Sequence, residues 1–177
     1  MAKVTLYSKW ACVAVISAVL VACSSNETKE VDEAAAQAAM AEQAAQEAAE
    51  AREVERQELI NTQRNLEQTA SAAGTTFFFD FDSSSMTDEA RGQVDAHIAA
   101  LLGNNLMVRL EGHTDERGTR EYNLALGERR ANTVRDYMVA NGVPSYRIET
   151  ISYGEENPVA YGTGESNWRQ NRRVDLR

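Results

Sequence analysis

The chain is poor in the residues that build disulfide frameworks and metal centres. It has two cysteines, Cys12 and Cys23, and both fall within the first 23 of its 177 residues. Their position excludes a disulfide framework and a cysteine-based metal site in the rest of the sequence. Two histidines, His97 and His113, are too few for a multi-histidine site. With two prolines and ten glycines, the chain is neither collagen-like nor proline-rich.

Lysine is also scarce, and the charge balance is acidic. No lysine follows Lys29, and 27 acidic residues outnumber 18 basic residues, which gives a net charge of −9. Affinity for nucleic acid depends on the neutralisation of phosphates by lysine and arginine. The composition therefore argues against a nucleic-acid partner.

Residues 1–22 are typical of a secretory signal. Lys3 and Lys9 make the start positive, and the 13-residue apolar run Trp10–Ala22 follows. As a helix this run spans about 20 Å at ~1.5 Å per residue, which is short of the ~30 Å hydrocarbon core of a membrane. A removable signal-peptide core is therefore favoured over a permanent membrane span.

The end of the apolar run resembles the lipobox of bacterial lipoproteins. Leu20 stands at position −3, Ala22 at −1, and Cys23 follows. The resemblance implies that the Cys23 thiol receives a diacylglycerol, that the signal is cut before it, and that the new amino terminus is acylated. Ser24, instead of an inner-membrane retention aspartate, implies a lipid-anchored protein on the periplasmic face of the outer membrane. An ordinary signal peptide with a chance cysteine is the alternative.

The composition changes after the cysteine. Residues 24–74 hold 14 alanines, 11 acidic residues and 4 basic residues, and no proline or glycine interrupts them before Gly74. These helix formers predict a helix over roughly 30–69. Large apolar side chains are too few for a core, so residues 23–74 are interpreted as a lipidated N-terminus and a solvated spacer, helical or partly disordered. A coiled coil built on the alanines is the alternative.

Residues 75–177 are predicted to form a single-core domain. Hydrophobic periodicity and helix caps predict, in order, the strand Phe77–Phe81, a helix ending near Leu102, the strand Leu106–Glu111, the loop Gly112–Thr119, the helix Glu121–Asn141, the strand Arg147–Tyr153, the loop Gly154–Ser166 and the strand Arg172–Leu176. The order β-α-β-α-β-loop-β indicates an α/β sandwich (α+β), with helices on one or both faces of a small mixed sheet.

A polar motif at 112–132 reads GHTDERGTREYNLALGERRAN. It resembles the peptidoglycan-binding motif of the outer-membrane protein A C-terminal (OmpA-like) family. The resemblance covers about 76–176 and includes FDFD at 79–82, SYGEENP at 152–158 and NRRV at 171–174. It implies that family's fold and non-catalytic binding of the meso-diaminopimelate residue of peptidoglycan stem peptides, without a cofactor. It also implies a partner, the periplasmic propeller protein of the Tol envelope system.

The resemblance assigns residues to that ligand. The free end of diaminopimelate carries an ammonium and a carboxylate on one carbon. By the family match, Asp115 on the loop takes the ammonium, and Arg130 on the helix takes the carboxylate in two parallel hydrogen bonds. Helical periodicity places Arg130 on the shoulder of the buried face and Arg129 on the outer face. The match adds five residues as pocket walls or contacts: Phe81, Asp82, Thr114, Asn123 and Leu126.

Several of these residues have structural alternatives. Asp115 can also serve only as a loop acid or helix N-cap. Arg130 can serve as a structural salt-bridge partner of Asp115, and Asn123 as a structural cap. Asp80 and Asp82, at i and i+2 on a strand, would project to the same side as paired carboxylates. That pair is the sequence feature behind the alternative function, a peptidoglycan-modifying enzyme.

The lipobox generates a direct test. Cys23→Ser removes the only acylation handle, so we expect an uncleaved or mislocalised protein. Fractionation of membranes after a salt wash measures this. Cys12→Ser is the matched control, because Cys12 lies within the signal and leaves with it. Full retention of the Cys23→Ser protein in outer membranes would contradict the lipoprotein interpretation.

Overall fold

The structure, a computed structural model, describes residues 27–177, with side chains from residue 35 onward. The signal segment 1–22 and the acylation residue Cys23 lie outside the described residues, so both remain predictions. The described chain divides after Glu50 into two units. Among the described residues, no helix combines the length and the apolar character needed to cross a membrane.

The alanine-rich segment forms a helix, α1, from Glu27 to Ala73. It is longer at both ends than the predicted 30–69. At the C-terminal end it continues to Ala73 because the first helix-breaking residue is Gly74, which takes a positive φ of 83°. In the first unit every side chain from 35 to 50 is exposed, as expected for a solvated spacer.

The last turns of α1 lie in the second unit and contact the residues that follow. Ala70 is buried, and the Gln63 amide donates a hydrogen bond to the Ala100 carbonyl at 3.0 Å. The expectation of a solvated spacer is therefore wrong for these turns. The domain bounds predicted from the sequence stay a prediction.

Four strands form the small mixed sheet that the sequence predicts, in the order β1-β4-β2-β3. The parallel pair is β2 with β3, and β4 runs antiparallel to both β1 and β2. The strands are β1 Thr76–Phe78, β2 Val108–His113, β3 Ile148–Gly154 and β4 Arg173–Leu176. The chain thus inserts its last strand between the first and the second.

Three further helices complete the second unit: α2 Asp88–Leu102, α3 Arg120–Ala140 and α4 Glu165–Asn171. A 3-10 turn at Ser145–Arg147 precedes β3. Thr87 and Thr119 cap α2 and α3, because each hydroxyl accepts a hydrogen bond from a backbone N–H of the first turn. The bounds of α3 differ from the prediction by one residue. The sequence analysis missed α4, whose seven residues are too few to show a helical period.

Two of the predicted strands have wrong bounds. The first strand ends at Phe78 and not at residue 81, because the chain turns at Asp80, where the Ser83 N–H donates back to the Asp80 carbonyl. The second strand begins at Val108 and extends through His113, because its parallel pairing with β3 continues to that residue. Residues 112 and 113 therefore belong to β2 and not to the loop.

The hydrophobic core lies between the sheet and the pair α2 and α3. The predicted stripe of α2 is buried as expected: Ala90, Val94, Ile98 and Leu101. It packs with three residues of α3: Ala131, Val134 and Met138. It also packs with strand residues that face the helices: Phe77, Leu110 and Val174. This packing holds the N-terminal end of α3 close to the end of β2.

A close backbone contact sets the distance between α3 and β2. A Cβ atom on Gly112 would stand 2.0 Å from the carbonyl oxygen of Gly127, and one on Gly127 would stand 2.4 Å from the Ser152 hydroxyl. The Ser152 hydroxyl is itself held by the Leu124 carbonyl, to which it donates at 2.7 Å. Both positions therefore require glycine because a side chain would collide with neighbouring atoms. Neither glycine has a backbone conformation that other residues avoid.

This contact predicts a large effect for a small change. Gly112→Ala forces the backbone of α3 away from β2, which we expect to lower the free energy of unfolding by about 2–3 kcal/mol. Gly92→Ala is the control: it lies on the exposed side of α2 with open space around it, and alanine there should stabilise by roughly 0.5–1 kcal/mol. Chemical denaturation measures both. Equal stability of the two variants would contradict the close packing.

Candidate functional site

A cavity of about 220 Å³ opens where β2 ends and α3 begins. All seven residues that the sequence analysis assigned to the pocket line it: Phe81, Asp82, Thr114, Asp115, Asn123, Leu126 and Arg130. Four residues that it did not assign also line it: Arg117, Gly118, Tyr122 and Arg172. The structure thus brings the assigned residues together, and their binding roles remain a prediction.

Arg130 forms the floor of the cavity. Its side chain reaches from α3 to three backbone carbonyls: Nε donates to Ser83 at 2.8 Å, Nη1 to His113 at 2.9 Å and Nη2 to Asp80 at 3.0 Å. A guanidinium has five N–H donors. The other two have no hydrogen-bond partner among the described residues.

Arg130 is buried more deeply than the sequence predicts. It is 0% exposed, although periodicity placed it on the shoulder of the helix. The suggested salt bridge with Asp115 is also wrong, since within the described part of the chain no carboxylate oxygen lies within 4.0 Å of its nitrogens. Burial lowers the pKa of Arg130 to about 10, partly offset by the nearby charge of Asp115. The group is therefore a buried cation at neutral pH whose protein partners are neutral.

Asp115 lies beside this cation and is also buried, at 4% exposure. Its carboxylate accepts from Arg117 through Nε at 3.1 Å and Nη2 at 2.6 Å, and from Arg172 through Nη1 at 3.2 Å. It also accepts from the backbone N–H of Arg117 at 3.1 Å, which gives it the turn-forming role that the sequence left open. Burial raises the pKa of Asp115, but these hydrogen bonds outweigh that effect and hold it below its usual value.

Arg117 covers the carboxylate on the solvent side. Its guanidinium carbon lies 3.9 Å from the ring centroid of Phe81 and 4.2 Å from that of Trp168, so it sits between two aromatic rings. Its Nη2 is also 3.8 Å from a carboxylate oxygen of Glu165 on α4. Arg117 follows the assigned Asp115 by two residues, but nothing in the sequence pattern distinguishes it from the other arginines.

Arg172 is the second cation on Asp115, and the sequence analysis assigned it no role. It stands between α4 and β4, is 4% exposed, and donates to the Phe79 carbonyl at 3.2 Å and to Glu165 at 2.5 Å. It thus fixes Asp115 to the end of β1 and to α4. The only sequence feature that connects Arg172 with the site is its place in the NRRV segment of the family resemblance.

The rim of the cavity carries a second carboxylate. Asp82 is exposed, adopts a left-handed backbone with φ of 51°, and accepts a hydrogen bond from the Tyr122 hydroxyl. Since β1 has already ended, Asp80 and Asp82 lie in a turn, and the expected strand pair of carboxylates is wrong. The Asp80 carbonyl, and not its carboxylate, is what contacts the site.

Asn123 holds the opposite side of the rim. It is 1% exposed and donates to the Glu155 carboxylate at 2.5 Å, which ties α3 to the loop after β3. The helix cap is Thr119, so the expectation that Asn123 caps the helix is wrong. Leu126, also buried, supplies the apolar part of the wall.

No group of three or more potential metal ligands occurs among the described residues. The lining instead combines three guanidinium groups, two carboxylates and apolar side chains. An arrangement of this kind can hold a molecule that presents a carboxylate and an ammonium close together on an apolar stem.

Comparison with known proteins identifies the family of the chain. The model of the OmpA family matches residues 78–172, which is more than half of the chain and includes both Asp115 and Arg130. The chain belongs to the OmpA family. Within it, the peptidoglycan-associated lipoprotein of Pseudomonas putida is 55% identical over 111 residues, which are 63% of this chain and 67% of that protein. The peptidoglycan-associated lipoprotein of Rhizobium meliloti is 52% identical over 102 residues, 57% of this chain and 58% of that protein.

Solved structures of other proteins share the fold. The crystal structure of the peptidoglycan-associated lipoprotein from Burkholderia pseudomallei is 44% identical, with a TM-score of 0.57 over 59% of this chain and 89% of that chain. The C-terminal domain of MotB from Helicobacter pylori, at 21% identity and a TM-score of 0.53, shares the fold alone. The matched regions span 58 to 67% of the two curated relatives, so similarity over their remaining length is not established.

The geometry of Arg130 predicts a structural cost as well as a functional one. Arg130→Ala leaves three backbone carbonyls without their partner, so we expect the free energy of unfolding to fall by about 3 kcal/mol or more. Arg129→Ala, on the exposed face of the same helix, should stay within about 0.5 kcal/mol of the parent chain. Thermal and chemical denaturation measure both. An Arg130→Ala protein as stable as Arg129→Ala would contradict the hydrogen bonds described.

Proposed function

We propose that the chain is an outer-membrane lipoprotein whose OmpA-family domain binds the meso-diaminopimelate residue of peptidoglycan and so tethers the outer membrane to the cell wall. One observation carries the proposal: a buried carboxylate and a buried guanidinium, Asp115 and Arg130, line one open cavity together with the apolar side chain of Leu126. The binding is non-covalent.

The carboxylate of the ligand is assigned to Arg130. This buried cation is bonded to neutral carbonyls and makes no direct ion pair among the described residues, and its remaining N–H groups have no acceptor there. A carboxylate supplies both, because its two oxygens match the fork of a guanidinium.

The ammonium of the ligand is assigned to Asp115, with Asp82 as a second negative charge at the rim. The methylene stem that joins the two ends of diaminopimelate then packs on Leu126 and Phe81. Diaminopimelate is distinguished from lysine by the terminal carboxylate, so Arg130 is the residue that discriminates between the two types of cell wall.

The envelope role extends this proposal beyond the domain. Acylation of Cys23 places the protein on the periplasmic face of the outer membrane, and the helix α1 supplies the reach to the wall. Support comes from the lipobox and from the relatives, which are named peptidoglycan-associated lipoproteins. The periplasmic propeller protein of the Tol system is the proposed protein partner, as the family resemblance implies.

The direct test is a pull-down of the full chain on two kinds of purified cell wall. Wall that contains lysine in place of diaminopimelate keeps the ammonium and lacks the carboxylate. We expect binding to the lysine wall to be weaker by at least roughly tenfold, because Arg130 would stay unpaired. Asp115→Ala should weaken binding to the diaminopimelate wall roughly thirtyfold or more.

Arg129→Ala is the matched control and should bind as the parent chain does. Equal binding to both walls, or an Arg129 effect as large as that of Asp115, would contradict the assigned pocket. The same incubation tests the alternative of a wall-modifying enzyme, because hydrolysis would release soluble fragments and binding alone releases none.

A further inference from the structure

Asp115, the carboxylate assigned to the ligand's ammonium, is already paired in the structure. Arg117 donates to both of its oxygens, at 3.1 and 2.6 Å. Asp115 is 4% exposed, whereas the side chain of Arg117 is 30% exposed. A cation that arrives from solvent therefore meets Arg117 before it reaches the carboxylate.

The position of Arg117 allows its side chain to leave without a change of fold. Its backbone stays anchored by its own N–H, which donates to Asp115. Its guanidinium makes no hydrogen bond to the backbone of another segment among the described residues, in contrast to Arg130 and Arg172. Glu165, 63% exposed and 3.8 Å away, offers a second carboxylate outside the cavity.

We propose that Arg117 is an internal competitor for the ammonium subsite, paired with Asp115 in the empty protein and displaced when the ligand's ammonium binds. The inference rests on the proposed function of this site. Exchange of one cation for another keeps the buried carboxylate paired at every stage, which avoids an uncompensated buried charge.

This exchange contributes to specificity. A molecule with a carboxylate and no ammonium leaves Arg117 in place, with the cavity partly filled. A molecule with both groups displaces Arg117 and gains the carboxylate bond to Arg130 in compensation. Only molecules in which Arg117 has left Asp115 can bind the ammonium, and the apparent affinity is reduced in proportion to that fraction. Removal of Arg117 should therefore tighten binding.

The experiment compares two probes on the full chain in detergent by titration calorimetry. One probe is the stem tripeptide that ends in meso-diaminopimelate. The other is the same peptide acetylated on the amine at the free end of its diaminopimelate residue. We expect Arg117→Ala to bind the free-amine peptide roughly three- to tenfold more tightly and the acetylated peptide with unchanged affinity. Arg120→Ala is the matched control: this arginine, the first residue of α3, is exposed and pairs with Glu156, outside the cavity.

Trp168 provides a second readout, because Arg117 lies against its ring. Binding of the free-amine peptide should change the Trp168 fluorescence of the parent chain. The change should be much smaller in Arg117→Ala and absent in Trp168→Phe. The other tryptophan of the sequence, Trp10, lies in the signal segment that we expect to be removed.

The outcomes separate this inference from the proposed function. If the parent chain binds neither peptide, the proposed function fails, and the inference fails with it. If the parent chain binds the free-amine peptide but Arg117→Ala binds both peptides more weakly, Arg117 contacts the bound ligand and is not displaced by it. That result would overturn the inference. Unchanged Trp168 fluorescence on binding would likewise overturn the displacement while leaving the proposed function intact.

Discussion

The guanidinium of Arg130 holds two separate segments of backbone to one helix through three carbonyls. Asp80 and Ser83 belong to the connection between β1 and α2, and His113 ends β2, yet all three carbonyls accept from this one side chain. The same contacts leave a buried positive charge with no carboxylate in direct contact among the described residues. Structural stability and ligand recognition thus depend on a single group, and the cavity lies where α3 and these two segments meet.

The other charged residues of the site pair with one another around Arg130. Asp115 lies under two guanidinium groups, and Arg172 ties it to the end of β1 while Arg117 covers it from solvent. The close approach of Gly112 and Gly127 brings α3 near enough to β2 for Arg130 to reach the backbone. Close packing in the fold and pairing in the pocket are therefore coupled, since a shift of α3 would move Arg130 away from its carbonyl partners.

Much of this was accessible from the sequence, for reasons specific to particular residues. The stripe Ala90 to Leu101 shows a helical period because it packs on one face. The ligand pair Asp115 and Arg130 came from the family motif and not from periodicity. The family resemblance as a whole also led to seven of the eleven residues that line the cavity.

What the sequence could not provide are the contacts between distant segments. The hydrogen bonds of Arg130 to backbone carbonyls depend on the path of the β1–α2 connection, which no local pattern encodes. Arg117 and Arg172 look like ordinary surface arginines until folding places them on Asp115. The helix α4 is too short to show a period, and the packing of Ala70 is hidden within a long run of alanine-rich helix.

The central claim is that the two buried charges hold the two charges of one ligand. A crystal structure of the full chain with the stem tripeptide ending in meso-diaminopimelate tests this most directly. The account predicts the terminal carboxylate within hydrogen-bond distance of the unpartnered N–H groups of Arg130 and the ammonium on Asp115. A peptide bound at any other surface, or with its carboxylate turned away from Arg130, would contradict it.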